Sequence, residues 1–271
     1  MDISVIITAR NEEANIKDCL NAVLAQDYTG GQFEIIVVDG MSDDRTTEIV
    51  REMAEKHSNL RLVYNEKLLI APGRNIGLAE SKFGFIAFTD AYCIVPNDWL
   101  AKLAGGFETI NKNRSNLGAV GGGNISPKSN SVFAEALGIY LDSFLGSFNS
   151  PQGRLYKRTK EVASLPCLNV LYNKEAVISV GGFDESLGNV AEDLDMNIRM
   201  RKAGYSLYFL PEATVIHKLR PNLSKWLRNM VLYGKGRAII TKKHGLYKEL
   251  FFIMPMAYCI SMILSPLGFI W

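Results

Sequence analysis

The sequence predicts an α/β protein, built on a parallel sheet with helices on both faces. Three observations carry this. Short apolar runs rich in Ile and Val alternate with segments of helical spacing through the first ninety residues. Those runs lack the in–out alternation of a half-exposed strand, so both their faces are covered. Acidic and polar residues with glycine then gather just after the runs, where open α/β sheets hold ligands.

Taken in order, SVIITA (4–9) reads as a buried strand. Asn15 to Gln26 has helical spacing, with Ile16, Leu20, Val23 and Leu24 on one face. EIIVVDG (34–40) is a second buried strand ending in an acid and a glycine, Thr46 to His57 a helix, and LRLVYN (60–65) a third strand. Arg74 to Ser81 reads as a short helix and FIAFTD (85–90) as a fourth strand. The second half is less regular. Ala119 to Asn124 is a Gly-rich strand end, Ser131 to Phe148 an apolar helix, and Asn149 to Ser164 a polar, basic segment read as a mobile loop. Cys167 to Tyr172 and Tyr205 to Leu210 read as strands. Glu192 to Ala203 reads as a helix with Leu194, Ile198 and Met200 inward and Arg199, Arg201 and Lys202 solvated.

The chain has 271 residues, 48% of them hydrophobic, which is enough for one large α/β domain with an appendage and excludes a disordered chain. The net charge of +2 hides a local imbalance. Between Lys218 and Lys248 there are nine Lys and Arg residues and no Asp or Glu, a pattern suited to phosphates or an anionic membrane surface. Cys19, Cys93, Cys167 and Cys259 are far apart and lack CxxC spacing, which argues against a zinc site or a disulfide framework and fits a reducing compartment. Residues 251–271 carry no charge, a length that can just span a hydrocarbon core of about 30 Å as a helix. Pro255 and Pro266 leave a re-entrant or interfacial segment open, and a buried core helix is the competing explanation. The basic stretch immediately before this run orients the main domain to the cytoplasm. The expected organisation is a main domain over 1–217, a basic amphipathic region over 218–250 and a hydrophobic membrane segment over 251–271, with the natural chain expected to continue further.

The clearest local motif is VVDGMSDDRT (37–46). A carboxylate at a strand end, followed by glycine and a turn into a helix, can accept hydrogen bonds from a nucleoside. Asp39 is the candidate acceptor, while Ser42, Asp43 and Thr46 shape the helix start; ordinary helix capping is the competing explanation for 42–44. TARNEEANI (8–16), GRNIGLAES (73–81), FTDAYC (88–93), GGFDESLG (181–188), EDLDMNIRMRKAGY (192–205) and Val-Ile-His (215–217) accompany it.

In that order these segments resemble the inverting family 2 glycosyltransferases of the GT-A fold, a mostly parallel mixed sheet flanked by helices, over about residues 3–245. The similarity is greatest to the membrane-associated polysaccharide-assembly branch. It implies transfer of a sugar from a nucleotide-sugar, a UDP-sugar by family habit, to a membrane-associated or polyprenyl-linked glycan acceptor. It implies that Ala9, Arg10 and Glu12 line the base pocket with Asp39, and that Arg74 and Asn75 lie beside the nucleoside and help hold the loop. Asp90 corresponds to the first acid of the metal-binding DxD motif, and His217 to a late histidine that meets metal or diphosphate. Asp193, in the Glu192–Asp193 pair, corresponds to the catalytic base. The implied cofactor is Mn²⁺ or Mg²⁺, the implied location the cytoplasmic face of a cell membrane. No nucleic-acid partner is expected, and the oligomeric state stays open.

Chemistry supports this set. In-line displacement of a nucleoside diphosphate needs a base for the acceptor hydroxyl and positive charge for the leaving group. One departure stands out: Tyr92 occupies the position of the second DxD acid. A phenol with a pKa of about 10 is a poor Mg²⁺ ligand at neutral pH. Asp90 with His217 and water can hold the metal, a basic group such as Arg237 or Lys235 can replace part of its role, or catalysis is impaired and the chain serves as a scaffold. Leu223, Trp226, Leu227, Met230 and Val231 have helical spacing among basic residues, which fits a membrane-interface helix or one packed on the catalytic domain. A sugar-1-phosphate nucleotidyltransferase would carry a Gly-rich basic loop after the first strand, and a dinucleotide oxidoreductase a GxGxxG; TARNEE is neither.

Overall fold

A computed structural model describes residues 1–126, 132–143, 155–218 and 223–246. The chain divides into two compact units, Met1–Asn222 and Leu223–Trp271.

The first unit opens with β1 (Ile3–Ala9), α1 (Ile16–Leu24), β2 (Phe33–Asp39), α2 (Thr46–Ala54), β3 (Leu60–Tyr64), α3 (Ile70–Glu80) and β4 (Phe85–Asp90). It continues with β5 (Cys93–Ile94), α4 (Trp99–Asn111), β6 (Leu117–Gly121), β7 (Asn124–Ile125), α5 (Val132–Asp142), β8 (Lys160–Glu161) and β9 (Asn169–Asn173). Then come α6 (Lys174–Ser179), a 3-10 turn (Glu185–Leu187), α7 (Glu192–Lys202), β10 (Ser206–Phe209) and β11 (Val215–His217). Eight strands form one sheet in the order β3-β2-β1-β4-β9-β6-β10-β8, and β5-β11-β7 form a small second sheet.

The alternation along β1 and β2 explains the two-sided core. Val5, Ile7, Ile35 and Val37 join one cluster, where Leu20 of α1, Val50 of α2 and Trp99 of α4 cover them. Ile6, Ile36 and Val38 face the other cluster, with Ala71 of α3, Val177 of α6 and Met196 of α7. Burial on both faces is why these strands read as continuous apolar runs. Gly73 and Gly77 let α3 approach closely. A Cβ at Gly73 would sit 3.3 Å from Thr8 Cγ2, and one at Gly77 would collide with Ile6.

β1 runs parallel to β2 and β4, and β2 parallel to β3. Their carboxyl ends therefore share one edge. β9 is antiparallel to β4, with Asn169 opposite Thr89, so β9 begins at that same edge. Helix α7 feeds β10, which is parallel to β6. Its amino end, with Glu192 and Asp193, therefore returns to the carboxyl edge.

Several sequence expectations need correction. Helix α3 begins four residues before the expected Arg74, because Pro72 falls in its first turn, where its missing N–H is harmless. Helices α4 and α6 were not expected; α4 carries Trp99, Leu100, Leu103 and Phe107 into the core at helical spacing. Arg199 is not solvated. It pairs with Asp195 at 2.7 Å and donates to the carbonyls of Val180 and Gly182, which pins the turn ahead of α7. Leu194 and Ile198 are half-buried, while Met196, Asn197 and Met200 take the inner face. Within 149–164, which was read as a mobile loop, residues 160–161 form β8 against β10, and 149–154 lie outside the described residues.

The second unit contains α8 (Leu223–His244), with Lys242, Lys243 and His244 in its last turn and Leu223, Leu227 and Val231 exposed. The hydrophobic segment 251–271 lies outside the described residues. Among the described residues no helix is long and apolar enough to cross a membrane.

Candidate active site

At the carboxyl edge the loops after β1 and β2 are stitched together. The amide N–H of Asn11 donates to Ser42 Oγ at 2.9 Å, and Asp43 N–H donates back to Asn11 Oδ1 at 3.0 Å. Glu12 N–H donates to Thr46 Oγ1 at 2.8 Å, and Glu13 N–H to Asp44 Oδ2 at 3.0 Å. Asn11 and Met41 hold positive φ values of 55° and 54°, a cost that non-glycine residues meet only where surroundings enforce it. Asp39 is fully buried at the end of β2, opposite Ala9. Its carboxylate accepts Ser42 N–H at 2.8 Å and Ser42 Oγ–H at 2.5 Å. Glu12 is buried and accepts Asn15 Nδ2–H at 2.8 Å. Arg10 is exposed beside the same crossing, and a Cβ at Gly40 would touch its Cβ at 3.4 Å. Ala9, Arg10, Glu12 and Asp39 thus meet in one loop pair, with Asp39 and Glu12 also holding that pair together.

Arg74 lies deeper. It is buried on α3, and its guanidinium sits 5.5 Å from the ring centroid of Phe183 and 6.0 Å from that of Phe88. Nη1 donates to Glu192 Oε1, and Nη2 lies 3.8 Å from Asp90 Oδ1. Burial works against its charge, but Cys167, Glu192, Asp90 and Asp193 around it raise its pKa above the usual guanidinium value. Asn75, one residue on, donates to Phe183 C=O at 2.8 Å and to Glu185 Oε1 at 3.0 Å, and accepts Phe183 N–H at 2.9 Å. Both ends of its amide are engaged with the turn that leads to α7.

Two carboxylates pair with Arg74, and a third, Asp193, is close enough to add to the field that raises its pKa. Asp90, at the end of β4, accepts the Tyr92 hydroxyl at 2.9 Å on Oδ2. Glu192 is buried, and burial pushes its pKa up while Arg74 opposes the rise. Asp193 is half-buried and accepts Leu194 N–H at 2.7 Å. Ala191 precedes them at φ 56°, a left-handed residue at the N-cap of α7. The helix start adds partial positive charge beside the acids.

His217 on β11 pairs with Cys93 of β5, three residues beyond Asp90. Its ring lies 5.2 Å from that of Tyr92, tilted by 51°. Among the described residues no group of three His, Cys, Asp or Glu side chains gathers as a metal cage. The donors that the resemblance implies are one carboxylate, Asp90, which leans on Arg74 and Tyr92, and the imidazole of His217 on the far side of the Tyr92 contact. That set fits a hard cation whose remaining ligands are substrate phosphates and water, the habit of Mg²⁺-type sites. Arg237 belongs to the second unit, where burial lowers its pKa from the ordinary guanidinium value.

Sequence reading missed the supports behind the site. Asn169, fully buried, accepts Trp99 Nε1–H at 2.8 Å and donates to Gly123 C=O at 2.9 Å and Ala213 C=O at 2.6 Å. Asn197 accepts Tyr172 Oη–H at 3.0 Å and donates to Leu165 C=O at 2.7 Å, tying α7 to β9. Nothing in a lone Asn signals this. The Asp195–Arg199 pair has the i,i+4 spacing of a helical ion pair, a signal that the expectation of a solvated Arg199 passed over.

Comparison with known proteins gives this site a context. The family model described as Glycosyl transferase family 2 matches residues 4–161, and Glycosyl transferase family group 2 matches residues 85–271. Glycosyltransferase AglE of Haloferax volcanii is 32% identical over 236 residues, covering 87% of this chain and 72% of that protein. A dolichyl N-acetyl-alpha-D-glucosaminyl phosphate 3-beta-D-2,3-diacetamido-2,3-dideoxy-beta-D-glucuronosyltransferase of Methanococcus voltae is 24% identical over 265 residues, 97% of this chain and 80% of that one. Among solved structures, the mannosyltransferase PcManGT of Pyrobaculum calidifontis, in complex with GDP-Man and Mn²⁺, superimposes with a TM-score of 0.65 at 21% identity. It covers 89% of this chain and 64% of that one. S. aureus TarS 1-349 with UDP-GlcNAc gives 0.59 at 21% identity, over 81% and 59%. The chain spans less than two thirds of either solved chain, and these likenesses show a shared α/β GT-A-like fold. With the family model matching more than half of its length, this chain belongs to glycosyl transferase family 2 and is a glycosyltransferase.

Proposed function

We propose that the protein transfers a sugar from a nucleotide-sugar, with a UDP-sugar favoured, to a membrane-associated, polyprenyl-linked glycan acceptor, with inversion at the anomeric carbon. The observation that carries this reading is the convergence of Asp90, Glu192 and Asp193 around the buried Arg74 at the carboxyl edge of the sheet. In this reading the crossed loops at Ala9–Glu12 and Asp39–Ser42 receive the nucleoside, with Asp39 accepting from base or ribose. Asp193 takes the proton of the acceptor hydroxyl as the hydroxyl oxygen bonds to the anomeric carbon. The bond from that carbon to the phosphate oxygen breaks, and nucleoside diphosphate leaves. Asp90 and His217 would hold Mn²⁺ or Mg²⁺, which when bound offsets charge on the leaving diphosphate.

The solved relatives named with GDP-Man and Mn²⁺ and with UDP-GlcNAc support a nucleotide-sugar donor. The dolichyl-phosphate acceptor in the name of the Methanococcus voltae relative supports a lipid-linked one. The exposed Leu223, Leu227 and Val231 of α8, on a helix without Asp or Glu, support an interfacial position on the cytoplasmic leaflet. A second reading, a catalytically impaired scaffold, rests on Tyr92 alone. The test is a panel of UDP- and GDP-sugars with Mn²⁺, following nucleoside diphosphate release with and without a polyprenyl phosphate acceptor in detergent. Release from one donor, enhanced by acceptor, supports transfer. Binding of nucleotide without release from any donor supports the scaffold.

A further inference from the structure

The pair Glu192–Asp193 offers two adjacent acids where inverting transfer uses one base, and the two do not stand in equivalent surroundings. Glu192 points into the protein: its side chain is 7% exposed and accepts Nη1–H of Arg74, whose own side chain is 7% exposed. Asp193 is half-buried and accepts the amide N–H of the next residue, Leu194, at 2.7 Å. The second nitrogen of Arg74 leans on Asp90 from 3.8 Å, so one guanidinium spans the end of β4 and the start of α7. That guanidinium lies 6.0 Å and 5.5 Å from the ring centroids of Phe88 and Phe183, and Phe183 is clamped by Asn75. A side chain this enclosed and this committed has little left for a nucleoside.

We infer that Arg74 is a positioning residue: by holding Glu192 in an internal ion pair it leaves Asp193 as the acid presented to the acceptor, and it fixes the spacing between that acid and Asp90. This departs from a donor-contact role for Arg74. It rests on the reading of Asp193 as base. A buried ion pair is a poor source of net stability, but breaking it by removing one partner strands a charge. Removing both partners relieves that penalty, which separates this role from donor binding.

The experiment compares Arg74→Gln, Arg74→Lys, Glu192→Gln, Asp193→Asn and the double variant Arg74→Gln/Glu192→Gln. Each is followed by thermal melting, by calorimetric binding of UDP and GDP with Mn²⁺, and by nucleoside diphosphate release on the donor panel. The inference predicts that Arg74→Gln melts several degrees below the parent and that the double variant recovers most of this. Nucleotide affinity stays within about threefold in both, while kcat falls by at least about tenfold, as expected when an acid is misplaced. Arg74→Lys, which keeps the charge but not the fork, recovers melting more than kcat. A tenfold loss of nucleotide affinity in Arg74→Gln that Glu192→Gln does not restore would overturn the inference in favour of donor contact. So would an unchanged melting temperature and kcat. Full turnover in Asp193→Asn defeats the base assignment instead, whatever Arg74 does. If Arg74→Gln does not fold, the double variant and Arg74→Lys carry the same comparison.

Discussion

The hydroxyl of Tyr92 donates to Oδ2 of Asp90 at 2.9 Å, while the guanidinium of Arg74 stands 3.8 Å from Oδ1 of the same carboxylate. The residue at the position where the resemblance would put the second acid of a DxD motif therefore hydrogen-bonds the proposed first one. A carboxylate so engaged is a weak lone anchor for a divalent cation, and the cation should arrive with the substrate phosphates. In nucleotide-free protein, Tyr92→Asp should raise Mn²⁺ affinity by roughly tenfold or more, because a second carboxylate completes a two-acid site. Manganese titration of both proteins, without nucleotide, checks this. Equal affinities would mean that position 92 does not face the cation.

Asp39 both closes the loop after β2 and is the proposed nucleoside acceptor, so Asp39→Ala should act twice. Loss of the Ser42 bonds should lower the melting temperature, and UDP affinity should fall by about tenfold or more, the worth of a charge-assisted hydrogen bond. A lower melting temperature with unchanged affinity would leave Asp39 with the loop alone.

The pKa of Glu192 is raised, chiefly by burial and against the pull of Arg74. A raised carboxyl contributes stability below its unfolded value of about 4.3 and loses that contribution as pH climbs through the folded value. The melting temperature of the parent minus that of Glu192→Gln should therefore be more positive at pH 4 than at pH 7. Melts at the two pH values decide this. A difference that grew with pH would mean Arg74 holds Glu192 below the ordinary range.

Asn197→Ala should cost about 2–3 kcal/mol, since it leaves the Tyr172 hydroxyl and the Leu165 carbonyl without this partner in the core. Denaturant unfolding measures it. Because Asn197 sits on α7 with Asp193, turnover should fall along with stability. A loss under about 0.5 kcal/mol, the level of an ordinary surface change, would contradict the assigned support.

The sheet was legible because β1, β2 and β4 are buried on both faces and announce themselves as apolar runs. The acids at the carboxyl edge were legible because strand ends are where such sheets hold ligands. What escaped was long-range: Arg199 reaching back to the 180–182 turn, Asn169 receiving the Trp99 indole, and Tyr92 bonding Asp90 rather than merely replacing an acid. Each depends on which distant backbone passes close by, and local periodicity carries no record of that. Helix α4 was missed for a different reason, since Gly105 and Gly106 in its middle weaken the helical signal while Leu100, Leu103 and Phe107 still pack inward.

The central claim is a nucleotide-sugar site that takes its metal with the substrate. Calorimetric titration of UDP and of GDP into the full chain, each with Mn²⁺ and then with EDTA, addresses it most directly. The account predicts that one nucleotide binds with Mn²⁺ and loses at least about tenfold in affinity when the metal is chelated, as expected when the charge that offsets the diphosphate is removed. Binding of neither nucleotide under either condition would contradict it and leave the family fold without a working donor site.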